Sequence, residues 1–251
     1  MKISNRTVFI AGGTSGIGLE LGRRFAAAGS AVILGGRRTD LLAELEGEGF
    51  ATVEIDVADQ DSVDRARDAI LRDHPGLDAI VTMAGVGFPE DLRDPAHFTA
   101  AKQTIDINLL GTIRVIDAFT PHLIDRGTGT IITVSSGIGF LPFPLMPTYA
   151  ATKAAVHAYS EALRAQLDGT GVEVAELVPP AVATHMGSAN PNALGLDEFA
   201  TEVMGLLETE PTPREILVER VLMHRWAERD GTYDELVAQR SRALATLPGR
   251  Q

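Results

Sequence analysis

Tyr149 and Lys153 stand four residues apart, so on a helix they share a face with Cβ atoms ~6 Å apart. A phenol beside an ammonium is acid/base chemistry for a proton on oxygen. An isolated tyrosine, with a pKa of ~10, is about 0.1% ionised at neutral pH and becomes a competent base only after a downward shift of ~2–3 units, or ~3–4 kcal/mol. One unit charge ~4 Å away, at an effective dielectric of ~20, contributes on the order of 4 kcal/mol, so Lys153 has the right magnitude to tune the phenol. Tyr159 has no lysine four residues on and is assigned to packing. Other chemistries find less support. There is no cysteine, hence no thiolate nucleophile or thiolate metal site. The histidines at 74, 97, 122, 157, 185 and 224 show no ligand-like spacing, so no metal is expected. A Gly-x-Ser-x-Gly elbow is absent from the sequence, which disfavours a serine hydrolase.

A second constellation lies near the N-terminus, in Ala11-Gly12-Gly13-Thr14-Ser15-Gly16-Ile17-Gly18. Glycines let a backbone turn tightly and approach a pyrophosphate, while free N–H groups at a helix start face its negative charge. Gly12, Thr14, Ser15, Gly16, Ile17 and Gly18 are therefore candidate dinucleotide contacts. After the second apolar run the chain reads Leu34-Gly35-Gly36-Arg37-Arg38, with no carboxylate to hold ribose hydroxyls and two guanidiniums instead. Arg suits a 2′-phosphate through its planar fork. With Thr39 and Asp40 read as an N-cap and first turn, Arg37 and Arg38 would oppose the helix dipole unless an anion lay between. The expected cofactor is NADP(H), with NAD(H) less favoured.

These residues need elements to position them. Thr7–Ala11, Ala31–Gly35, Thr52–Asp56, Asp78–Thr82, Gly129–Ser135 and Val172–Val178 read as buried strands, rich in Val and Ile. Between them, Gly16–Ala28, Thr39–Glu46, Asp59–Asp73, Phe98–Asp125 and Thr148–Gly169 read as helices. Alternating β and α segments predict a Rossmann-type doubly wound α/β fold: a parallel sheet of six or seven strands with helices on both faces. Beyond residue 195 the pattern gives a helix at Asp197–Glu208, a short seventh strand at Ile216–Val218 and a charged closing helix at Glu228–Leu247. The whole chain, 1–251, reads as one domain, with a substrate loop over about residues 180–210.

The Gly-x-x-x-Gly-x-Gly spacing of Gly12, Gly16 and Gly18 resembles the short-chain dehydrogenase/reductase family, and further landmarks follow in that family's order over about residues 5–190. Asp56-Val57 ends strand three, Ala84-Gly85 follows strand four, Asn108 lies in the following helix, Ser136 follows strand five, Tyr149-x-x-x-Lys153 opens the next helix, and Pro179 and Thr184 follow strand six. The resemblance implies Asn108, Ser136, Tyr149 and Lys153 as the catalytic set. Tyr149 would pass a proton to the forming alkoxide as hydride reaches carbon, Ser136 would bond the same oxygen, and Asn108 would order a water leading to Lys153. It further implies cofactor contacts at Asp56, Val57, Ala84, Gly85, Tyr149, Lys153, Pro179 and Thr184, and helix pairing in a homodimer or tetramer. Three departures stand out: Thr82-Met83 in place of Asn-Asn, Pro180 in place of glycine, and no Val-Asp-Gly-Gly ending. Pro179-Pro180 and that ending resemble the DltE-like oxidoreductases.

A formal net charge of -12 argues against nucleic acid or an anionic membrane as partner, and the N-terminal apolar stretch is too short for a signal or span. The expected partner is a small carbonyl compound or alcohol, and the expected compartment is the cytoplasm. Three mostly apolar loops, Gly87–Pro89, Phe140–Met146 and Ala183–Gly195, are expected to line a pocket for a moderately hydrophobic substrate, with His185 a further candidate contact. The main alternative is a non-catalytic dinucleotide-binding sensor or scaffold; a sugar epimerase or dehydratase is less compatible with the short C-terminal region.

Overall fold

The computed structural model describes residues 1–184 and 190–249. Strand β1, Thr7–Ala11, carries four consecutive buried apolar residues, because both of its faces are covered. Side chains alternate in direction along it. Val8 and Ile10 pack with Leu21 and Phe25, whereas Phe9 and Ala11 pack with Val115 and Phe119 in a second core on the opposite face. The Phe9 and Phe119 rings meet at 5.2 Å.

The other strands are β2 (Ala31–Gly36), β3 (Ala51–Glu54), β4 (Ala79–Thr82), β5 (Gly129–Val134), β6 (Val172–Leu177) and β7 (Glu215–Ile216). They form one parallel sheet in the order β3-β2-β1-β4-β5-β6-β7. The doubly wound reading is thus borne out, with seven strands. Helices α1 (Gly16–Ala27), α2 (Thr39–Gly47), α3 (Gln60–Asp73), α4 (Phe98–Ile105), α5 (Gly111–Asp125), α6 (Pro147–Gln166) and α7 (Leu196–Leu207) join and cover them. The strand order reverses between β1 and β4, and in such sheets ligands bind beyond the strand C-termini at that point.

Several element boundaries differ from the sequence expectation. The helix expected over Phe98–Asp125 is split by a π-helical turn, Asp106–Leu110, which carries Asn108; such turns recur at functional sites. The N-cap of α2 is Arg38 rather than Thr39. The seventh strand has two residues, paired with Glu176 and Leu177 of β6. The closing helix is also shorter than expected. A 3-10 turn (Glu219–Val221) leads into α8 (Leu222–Arg225), and α9 (Tyr233–Ser241) runs into 3-10 turns at Arg242–Thr246. Gly231, with φ of 70°, takes the left-handed conformation that interrupts the expected helix. No helix among the described residues is long and apolar enough to cross a membrane.

Candidate active site

The β1–α1 turn is built by close backbone approach. Gly12 has φ of 96°, and a Cβ there would lie 2.5 Å from the Ala84 nitrogen; a Cβ on Gly18 would lie 2.3 Å from the Gly12 carbonyl oxygen. Neither position tolerates a side chain, so loop and helix are locked together. Ser15 is the N-cap of α1 but makes no side-chain cap bond. Its hydroxyl instead accepts from Arg38 Nη2 at 2.8 Å, and Thr14 Oγ1 accepts from the same nitrogen at 3.0 Å. Arg38 therefore bridges back from β2 to the glycine turn. Arg37 is half-exposed and stands 3.9 Å from Asp56, a separation that binds it weakly.

A cavity of about 970 Å³ runs from this turn to the C-terminal ends of β4, β5 and β6. Of the expected catalytic and cofactor-binding residues, all but Asn108 line it; His185 lies outside the described residues. Asn108 is fully buried instead. Its Oδ1 accepts from Val86 N at 2.8 Å, and its Nδ2 donates to Val86 O at 2.8 Å and to Thr152 Oγ1 at 3.3 Å. The amide thus holds Val86 at both ends and links it through Nδ2 to Thr152 of α6, and Asn108 does not line the cavity. The substitution before Ala84-Gly85 also leaves a trace: Thr82 Oγ1 is buried with no hydrogen-bond partner.

At the far end Ser136, Tyr149 and Lys153 share one wall. Lys153 Nζ donates to Val134 O at 2.9 Å and lies 5.6 Å from the Tyr149 ring centroid. Burial pushes the Lys153 ammonium down to about 8. Burial likewise pushes the Tyr149 phenol up to about 12, against a hydrogen bond with Ser136 that works in the opposite direction. The sequence arithmetic had Lys153 drawing the phenol down. Desolvation dominates instead, and the protonated phenol is the ground state.

Sequence reading missed the device that holds Tyr149. Glu90 is buried, and its carboxylate accepts from Thr148 N at 3.0 Å, from Thr148 Oγ1 at 2.8 Å and from His97 Nδ1 at 3.0 Å. It satisfies a free N–H in the first turn of α6 from a loop 58 residues away, immediately before the phenol. The pocket wall was also misjudged. Of the three expected loops, Phe143, Met146, Thr184, Asn190 and Asn192 line the cavity, but Gly87–Pro89 does not, Phe140 packs edge-on against His157 at 4.6 Å and under Arg225 at 4.5 Å, and Leu141 is fully buried. Arg220, His224 and Arg240 from the C-terminal segment join the lining.

A cluster that spacing could not reveal brings His157, Glu176 and Glu215 together from α6, β6 and β7, with ligand atoms within 4.8 Å of one another. Each carboxylate already has protein partners. Arg225 holds both oxygens of Glu215 at 2.7 and 2.9 Å, while Ser135 and His157 hold those of Glu176. His157, its pKa raised chiefly by the hydrogen bond to Glu176, completes an ion-pair network of which only Glu176 is fully buried.

The glycine cradle, the start of α1 and two guanidiniums fit a phosphate-rich dinucleotide, and the same cavity extends to Ser136, Tyr149 and Lys153. Residues 6–194 match the short chain dehydrogenase family model, and the chain belongs to that family of oxidoreductases. Among its relatives are the uncharacterized oxidoreductase DltE of Bacillus subtilis, 35% identical over 95% of this chain and 98% of that protein, and the sulfoacetaldehyde reductase of Chromohalobacter salexigens, 39% identical over 68% and 70%. An alcohol dehydrogenase from Thermococcus sibiricus, solved with 5-hydroxy-NADP, superposes with a TM-score of 0.76 at 28% identity over 85% of this chain and 95% of that one.

Proposed function

We propose that the protein is an NADP(H)-dependent oxidoreductase acting on a carbonyl carbon or its secondary alcohol, with Tyr149 as the acid/base group. The observation that carries this reading is one continuous cavity with Thr14, Ser15, Arg37 and Arg38 at one end and Ser136, Tyr149 and Lys153 at the other. Arg38, already aimed at the Thr14 and Ser15 hydroxyls, supplies the donors a 2′-phosphate needs. The relative solved with 5-hydroxy-NADP supports the same choice.

When bound, the nicotinamide supplies or accepts the hydride. The chain's own residues handle the proton. With its pKa near 12, Tyr149 is protonated at neutral pH and donates to a carbonyl oxygen as negative charge develops there. Ser136 offers a second hydrogen bond to that oxygen. Lys153, fixed by Val134 O, faces the phenolate that forms. At a separation of ~5–6 Å and an effective dielectric of ~20 its charge contributes ~3 kcal/mol. That is enough to offset much of the desolvation penalty at the moment the proton leaves. A pure sensor has no need of a cavity-facing phenol beside a buried lysine in this arrangement, so the sensor reading is not favoured.

We further propose self-association through the outer faces of α4 to α6, where Phe98, Ile105 and Leu110 are exposed beside exposed Ala151, Ala154, Ala158 and Ala162.

The test is oxidation of NADPH, with NADH in parallel, against a panel of ketones, aldehydes and quinones. Turnover of at least one carbonyl with a clear NADPH preference is expected. Tight dinucleotide binding with no turnover of any carbonyl would reject the enzyme reading.

A further inference from the structure

Two cations at the substrate end of the cavity have no task in the dinucleotide reading. Arg220, from the 3-10 turn before α8, and Arg240, from α9, both line the cavity. Arg240 is partly buried, and burial draws its pKa below the usual guanidinium range. Its Nη1 donates to Leu141 O at 2.6 Å and its Nη2 to His224 Nε2 at 2.5 Å. Both acceptors are neutral, and among the described residues no carboxylate pairs with it.

The imidazole's state follows from its partner. A guanidinium only donates, so His224 Nε2 must accept and the ring proton sits on Nδ1. Burial and the neighbouring Arg240 hold His224 down to about 4, so it stays neutral at physiological pH. Its Nδ1–H is buried with no hydrogen-bond partner, facing Gly137, where a Cβ would lie 2.6 Å away. Gly137 follows Ser136, so this unsatisfied donor and the adjoining guanidinium stand next to the serine of the reacting end.

The charge balance makes the same point. The chain has 34 acidic residues against 22 Lys and Arg, yet among the described lining residues the one carboxylate is Asp56, beside Arg37 at the other end. A guanidinium withdrawn from water without a counter-charge is costly unless something completes it. Arg240 has five N–H donors, of which two are engaged. The group that best matches a planar fork is a planar two-oxygen anion.

We propose that the substrate carries a carboxylate, gripped by Arg240 with Arg220 nearby, while its carbonyl or carbinol carbon lies at Tyr149 and Ser136. Phe143 and Met146 supply apolar wall between the two ends. This proposal rests on the oxidoreductase reading and names the substrate class for that same site.

The experiment uses matched pairs of short oxo acids, with a varied number of methylenes between carbonyl and carboxylate, each beside its primary amide, assayed with NADPH. For at least one spacing kcat/KM for the acid should exceed that for the amide by about 30-fold, the range of a lost charge-assisted contact. In Arg240→Gln that ratio should fall to within about threefold of unity, and Arg240→Lys should keep part of it. Independently of these variants, an unreactive alkanoate should inhibit the wild-type enzyme where its amide does not. A wild-type ratio near one at every spacing, in an enzyme that turns over simple ketones, would overturn the carboxylate site and leave the oxidoreductase reading standing. If acids, amides and ketones alike are not turned over, that reading fails. Calorimetry of the alkanoate with the NADP⁺-bound protein then decides the site alone: binding of acid over amide supports it, and equal or no binding overturns it.

Discussion

Replacing Lys153 with methionine should remove activity and at the same time stabilise the fold. The ammonium is buried, and its pKa falls from 10.5 to about 8 because burial penalises the charged form. At neutral pH the group is protonated in both folded and unfolded chains, so the fold carries the full penalty. About 2.5 pKa units at ~1.36 kcal/mol each amounts to about 3 kcal/mol. Against this, Val134 O loses its donor, at a cost of about 1–3 kcal/mol. The net gain is between about 0 and 2 kcal/mol, or an increase in Tm of up to roughly 8 °C for a chain this size. The sign of the pH dependence is fixed by the depressed pKa. The penalty is complete below pH 8, shrinks as pH rises toward 10.5 and is gone above it. Thermal unfolding of Lys153→Met and wild type, without dinucleotide, should therefore show a gap at pH 7 that narrows by pH 10. A variant clearly less stable than wild type at pH 7, or a stability difference that does not change between pH 7 and pH 10, would refute the reasoning.

Two further substitutions separate binding from positioning. Arg38→Ala removes the guanidinium that reaches Thr14 and Ser15 and should raise KM for NADPH about 10- to 100-fold while changing that for NADH by less than about threefold. Arg37→Ala should act in the same direction but more weakly, since its side chain is half-exposed and near Asp56. Equal effects on both dinucleotides would reject the phosphate assignment. Glu90→Ala strips the acceptor from Thr148 and should lower kcat about tenfold with little change in NADPH affinity, while Glu90→Gln, which keeps an acceptor oxygen, should recover most of the loss. Stopped-flow turnover and dinucleotide fluorescence titration on the same samples distinguish the two effects.

The sheet was legible because its strands are covered on both faces. A run such as Val8-Phe9-Ile10-Ala11 has no solvent face to interrupt it, and the crossovers between such runs had room only for helices. The glycine turn was legible for a related reason: Gly12 and Gly18 are the residues whose backbones touch, and glycine alone permits it. What escaped depends on contacts distant in sequence. The Glu90 clamp spans 58 residues and the Arg240 contact with Leu141 spans 99, and no local pattern marks either one. Asn108 was picked out by its place in a motif, yet its two bonds to Val86 and the π turn beneath it emerge only once β4 and α6 are packed. The phenol's acidity was argued from one pair of residues, whereas its burial is a property of the whole wall.

The most direct measurement is Tyr149→Phe, followed by NADPH binding and by turnover of a carbonyl that the wild-type enzyme reduces. A positioned general acid contributes about 10²- to 10⁴-fold. The variant should fold, bind NADPH within about threefold of wild type, and lose turnover by that factor. A variant that binds NADPH equally well and still reduces the carbonyl at near the wild-type rate would contradict the assignment of the proton to this phenol.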